Sequence, residues 1–127
     1  MKILLIDDNR EITEMLSTYL TLKGHECTVS NDGRNGLTLM LEKKFDAVIL
    51  DLAMPEYTGF DVIDNLENSM KLKDLKIILL TASSVKDEDI EQVIKKGVHC
   101  CLRKPVKLEI LLETLTDKDE SNIERGK

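Results

Sequence analysis

The chain has 127 residues, a length that fits one domain and excludes two independent cores. Hydrophobic residues make up 42% and charged residues 33%, with no Trp, two Phe and two Tyr, so the core has to be built from aliphatic side chains. A formal net charge of −6 without a Lys/Arg cluster argues against direct nucleic-acid binding.

The first apolar run, Lys2 to Ile6, has strand length, and Asp7 and Asp8 end it too early for a signal-peptide core. The spacing of Ile12, Met15, Leu16, Tyr19 and Leu20 predicts a helix that starts near Asn9 or Arg10 and stops at Gly24. A second strand follows over Glu26 to Ser30, and Leu37, Met40 and Leu41 mark the next helix. Strand three is expected over Asp46 to Leu50 and strand four over Lys76 to Leu80. Ile90, Val93 and Ile94 carry a helix that stops at Gly97, and strand five spans His99 to Leu102. The order is βαβαβαβαβα.

Runs such as ILLI, AVIL and IILL are continuous rather than alternating, as in strands covered on both faces of a parallel sheet. The expected fold class is therefore α/β, a doubly wound five-stranded parallel sheet with helices on both faces. Residues 1–116 form the expected domain, and the charged stretch 117–127 reads as a C-terminal tail or the start of a linker. No apolar run reaches the length of a membrane span. Cys27, Cys100 and Cys101 form no CxxC pair, which favours reduced thiols in a cytoplasmic protein over a disulfide or zinc site.

Ligands of open parallel sheets bind beyond the carboxyl ends of the strands. Strand one ends in Asp7 and Asp8, strand three in Asp51, strand four in Thr81 and Ala82, and strand five in Arg103, Lys104 and Pro105. Singly, Asp7 or Asp8 would serve as a helix cap, Thr81 as a loop cap and Lys104 as a solvated surface residue. Together they place three carboxylates, a hydroxyl and an ammonium on one edge. Crowded carboxylates repel, and a hard divalent ion such as Mg²⁺ relieves them; three Asp, one Mg²⁺ and Lys104 balance to neutrality. Such a pocket suits an incoming phosphoryl group.

The stretches KILLIDDN, AVILDLAMPEYTGFD, IILLTAS and LRKPV, in this order and spacing, resemble the response-regulator receiver family of two-component signalling over residues 2–116. The resemblance implies a (βα)5 flavodoxin-like fold. It implies that Asp51 is the phosphoacceptor, served by a sensor histidine kinase, a phosphotransfer protein or a small phosphodonor. Asp8, Asp51 and the backbone carbonyl of Ala53 would bind Mg²⁺ directly, and Asp7 through water. Lys104 would pair with Asp51 and then with the phosphoryl oxygens, Thr81 would move toward them, and the Lys104-Pro105 bond would be cis. Ala53 and Ser83 occupy the positions that tune the lifetime of the acyl phosphate, and neither side chain offers a strong base. A regulatory domain rather than an enzyme is implied, monomeric or weakly dimeric, acting on a downstream target or output domain. Most of the family carries an aromatic switch residue three before the strand-five Lys; here it is Cys101, taken as a small space-filler beside Cys100. A receiver-like interaction module that is never phosphorylated is the alternative. A dehalogenase-like phosphatase is disfavoured, because its second Asp would stand where Ala53 does.

Overall fold

The computed structural model describes residues 1–69, 72, 75–82, 84–116 and 123–125. Its elements follow the expected alternation: β1 (Lys2–Ile6), α1 (Arg10–Leu22), β2 (Glu26–Ser30), α2 (Gly33–Glu42), β3 (Ala47–Asp51), α3 (Gly59–Asn68), β4 (Lys76–Thr81), α4 (Asp87–Lys96), β5 (Cys100–Arg103) and α5 (Leu108–Thr116). The third and fifth strands begin one residue later than the apolar runs predict and also end one residue later, so Asp51 and Arg103 are the last residues of their strands.

All strands are parallel, in the order β2-β1-β3-β4-β5-β6. The five expected strands are present. The sixth, β6 (Ile123–Arg125), pairs with β5 and falls in the segment read from sequence as a tail; one apolar residue among three leaves no period to detect.

Both faces are covered, which is why the strands read as unbroken apolar runs. Leu4, Ile6, Val48, Leu50, Ile77 and Leu79 face α2, α3 and α4, packing with Met40, Val62, Ile63, Leu66, Ile90 and Val93. Ile3, Leu5, Ile49, Ile78 and Leu80 face α1 and α5, against Leu16, Leu20, Leu111 and Leu115. Strand alternation also separates the neighbouring thiols: Cys101 lies on the first face and Cys100 on the second, so Cys101 does not fill space beside Cys100. Gly24 and Gly97 take φ of 92° and 123°, a backbone region costly for any other residue, and they end α1 and α4 as expected. Gly97 does so from the C-cap itself rather than one residue beyond it. No helix among the described residues is long and apolar enough to cross a membrane.

The chain reverses its direction of growth across the sheet at β1, which sits between β2 and β3. The crevice of such a sheet opens at this switch point, where the carboxyl ends of β1 and β3 lie side by side, Ile6 opposite Leu50.

Candidate functional site

At the exit of β1, Asp7 is 3% exposed and Asp8 is exposed. Neither caps α1. Asn9 does, its side chain accepting the N–H groups of Glu11 and Ile12 at 3.0 and 3.2 Å. The Asn9 N–H in turn donates to Asp7 Oδ1 at 2.9 Å. Asn31, just beyond β2, donates from Nδ2 to the Asp7 carbonyl at 2.8 Å and to Thr13 Oγ1 at 3.1 Å, tying the turn to both neighbouring elements. Asn9 and Asn31 therefore position the acidic pair. The sequence points to Asp7 or Asp8 as the cap, and nothing in it marks Asn31.

At the exit of β3, Asp51 is 3% exposed and its Oδ1 accepts the Ala53 N–H at 3.3 Å. The loop that follows is held down by Met54, which is buried in the α2/α3/α4 face, consistent with packing rather than chemistry. The Thr58 side chain and Asp61 form a reciprocal capping box at the start of α3. Gly59 is required by proximity: a Cβ there would lie 2.6 Å from the Asp51 carbonyl oxygen and 2.7 Å from Leu52 Cα, so any side chain would push α3 away from the strand.

At the exits of β4 and β5, Thr81 is fully buried and its hydroxyl donates to the Ala82 carbonyl at 3.3 Å. The Lys104 N–H donates to the Thr81 carbonyl at 2.7 Å, which fixes the start of the Lys104 side chain. Lys104 Nζ stands 3.2 Å from Asp7 Oδ2 and 3.3 Å from Asp51 Oδ1. The Lys104-Pro105 peptide bond is cis, and Pro105 is exposed. Burial pulls the Lys104 ammonium down, but the charges of Asp51 and Asp7 and its hydrogen bonds to them outweigh it, so its pKa is raised above the ordinary 10.5 and it stays charged at neutral pH.

Carboxylate oxygens of Asp7, Asp8 and Asp51 lie within 4.8 Å of one another. One ammonium faces three carboxylates, so the pocket holds an excess of negative charge and only hard oxygen donors. That donor set fits Mg²⁺, which favours oxygen ligands and one or two carboxylates. Asp7, Asp8, Asp51 and Lys104 are thus brought together, and Ala53 touches Asp51 through its N–H. Thr81 stands one residue beyond Leu80, the partner of Asp51 in the β3–β4 register. Cys101 is elsewhere, fully buried toward α4, and Ser83 lies outside the described residues.

Residues 3–116 match the family model of the response regulator receiver domain. The chain belongs to that family. As a receiver domain it is 37% identical over 106 residues to the transcriptional regulatory protein CpxR homolog of Haemophilus influenzae, covering 82% of this chain and 44% of the regulator. It is 30% identical over 116 residues to the sensor histidine kinase RcsC of Escherichia coli, covering 91% of this chain and 12% of the kinase. The chain therefore spans less than half the length of either relative. Among solved structures, a response regulator receiver protein from Pseudomonas putida superposes with a TM-score of 0.83 at 29% identity, covering 90% of this chain and 93% of the other. The receiver domain is a regulatory unit of two-component systems, and it occurs here in relatives named as regulators and as a sensor kinase.

Proposed function

We propose that this receiver domain is a phosphoacceptor switch in which Asp51 takes a phosphoryl group from the phosphohistidine of a sensor kinase or phosphotransfer protein, or from a small phosphodonor. The observation that carries the reading is the buried Asp51 carboxylate at a strand exit with the Lys104 ammonium 3.3 Å from its Oδ1. A carboxylate oxygen of Asp51 attacks phosphorus, the P–N bond to the donor imidazole breaks, and its electron pair leaves on nitrogen. Such transfers have loose transition states in which positioning and charge stabilisation provide most of the catalysis. Lys104 releases Asp51 to meet the phosphoryl oxygens, and Thr81 leaves the Ala82 carbonyl to donate a hydrogen bond to them. Asp8, Asp51 and the Ala53 carbonyl would hold Mg²⁺, with Asp7 acting through water; when bound, the ion neutralises the carboxylates and the entering phosphoryl charge. Ala53 offers no base for water, so autodephosphorylation is slow and the domain acts as a timer, not an enzyme.

Residues 1–116 are the switch unit, working in the cytoplasm as a monomer or weak dimer on a downstream protein target or output domain. The direct test is intact-mass measurement after incubation with Mg²⁺ and a small phosphodonor. One added phosphoryl group is expected; an unmodified chain would reduce the domain to an interaction module.

The readout surface follows from Cys101. A fully buried thiol at the switch position cannot swing an aromatic ring between two surface states. With a beryllofluoride phosphoryl mimic, amide NMR shifts are expected to concentrate in the loops after Asp51 and Thr81. Large contiguous changes across residues 90–111, with those loops still, would overturn this.

A further inference from the structure

Arg103, the last residue of β5, immediately precedes Lys104. Its Nη1 donates to the Val85 carbonyl at 3.1 Å and its Nη2 pairs with Asp87 in the first turn of α4. The Val85 N–H donates to the Ala82 carbonyl at 3.2 Å, the same oxygen that accepts the Thr81 hydroxyl. An unbroken chain of contacts thus runs from the hydroxyl beside the pocket, through Ala82 and Val85, to Arg103 and the head of α4. The helices α1, α2 and α3 are each capped by a side chain, of Asn9, Asp32 and Thr58; at α4 the N-cap residue, Lys86, makes no side-chain cap bond. Its first turn is therefore held from outside, and Arg103 is a group that holds it.

We propose that Arg103 is a positioning residue that latches the β4–α4 loop in its resting place and so sets the cost of freeing Thr81 from Ala82. The inference deepens the phosphoacceptor reading and rests on it. Phosphorylation draws the Thr81 hydroxyl off the Ala82 carbonyl toward Asp51, Ala82 shifts because it is covalently joined to Thr81, and the strain falls on the Val85–Arg103–Asp87 contacts. Guanidinium geometry matters here: one planar group bridges a carbonyl and a carboxylate, which a lysine ammonium reproduces poorly. The Asp87 side chain is 64% exposed, so the ion pair is screened by salt and weak enough to open.

The test uses the full chain as wild type, Arg103→Met, Arg103→Lys and Asp87→Asn; the last alters an exposed carboxylate and leaves the core untouched. In the absence of any mimic, hydrogen exchange at the Val85 amide is expected to speed up about fivefold in Arg103→Met and Asp87→Asn, with Arg103→Lys between them and wild type, and with β4 amides unchanged. With Mg²⁺ and beryllofluoride, half-saturation is expected at about three- to tenfold lower mimic concentration in the same two variants, because less resting-state contact opposes binding. Unchanged exchange at Val85, or mimic binding that is unchanged or weaker, overturns the latch. A wild-type chain that takes no beryllofluoride refutes the phosphoacceptor reading instead, and exchange at Val85 still decides whether Arg103 holds the loop.

Discussion

Asp51→Asn is expected to accept no phosphoryl group while remaining folded. An amide has no anionic oxygen to attack phosphorus, so the loss should be complete rather than partial. The fold should survive, because the replacement is nearly isosteric and Lys104 keeps its contact with Asp7 at 3.2 Å. Removing one buried carboxylate from beside another offsets the lost ion pair, and the stability change should stay within about 1 kcal/mol. Intact mass after incubation with Mg²⁺ and a small phosphodonor reads the first part, and thermal unfolding the second. A hydroxylamine-sensitive phosphate still acquired by the Asn variant would move the nucleophile to another residue.

Mg²⁺ is expected to raise the unfolding temperature of the wild-type chain at neutral pH. An ion that binds only the folded pocket stabilises by mass action, about 2.7 kcal/mol at a hundredfold excess over its Kd. For a domain of this size that corresponds to a shift on the order of 10 °C. In Asp8→Ala the shift should disappear. Asp8 is exposed, so its removal costs the apo fold little and isolates the ion's contribution. The same Mg²⁺-dependent shift in both proteins would place the ion outside the Asp7, Asp8 and Asp51 cluster.

The strand exits were legible because the chemistry and the periodicity coincide there: each apolar run breaks on a polar residue, and in a parallel sheet all such breaks fall on one edge. Asp7, Asp51 and Lys104 could be placed together without knowing any distance. What escaped was the work of residues whose roles depend on direction. Asn9 rather than an Asp caps α1, and only its own hydrogen bonds reveal it. Cys100 and Cys101 looked like neighbours because adjacency in a string hides the alternation that sends them to opposite faces. Arg103 read as one more charge at a strand end, since its carbonyl and carboxylate partners come from a loop whose path no period encodes. Gly59 owes its place to the crowding of Asp51 and Leu52 rather than to a left-handed backbone, a closeness that no period encodes.

The pairing of Lys104 with Asp7 joins residues 97 positions apart, and its pairing with Asp51 joins residues 53 apart. Four strand-to-strand crossovers separate the first pair and two the second, so the site closes only when β5 enters the sheet beside β4. During synthesis the chain emerges from its N-terminus, and the acidic residues appear long before their cation. A ribosome-bound fragment that ends before Lys104 carries Asp51 without the ammonium that stands beside it in the folded domain. On the phosphoacceptor reading proposed above, competence to receive a signal would belong only to chains whose synthesis has passed β5.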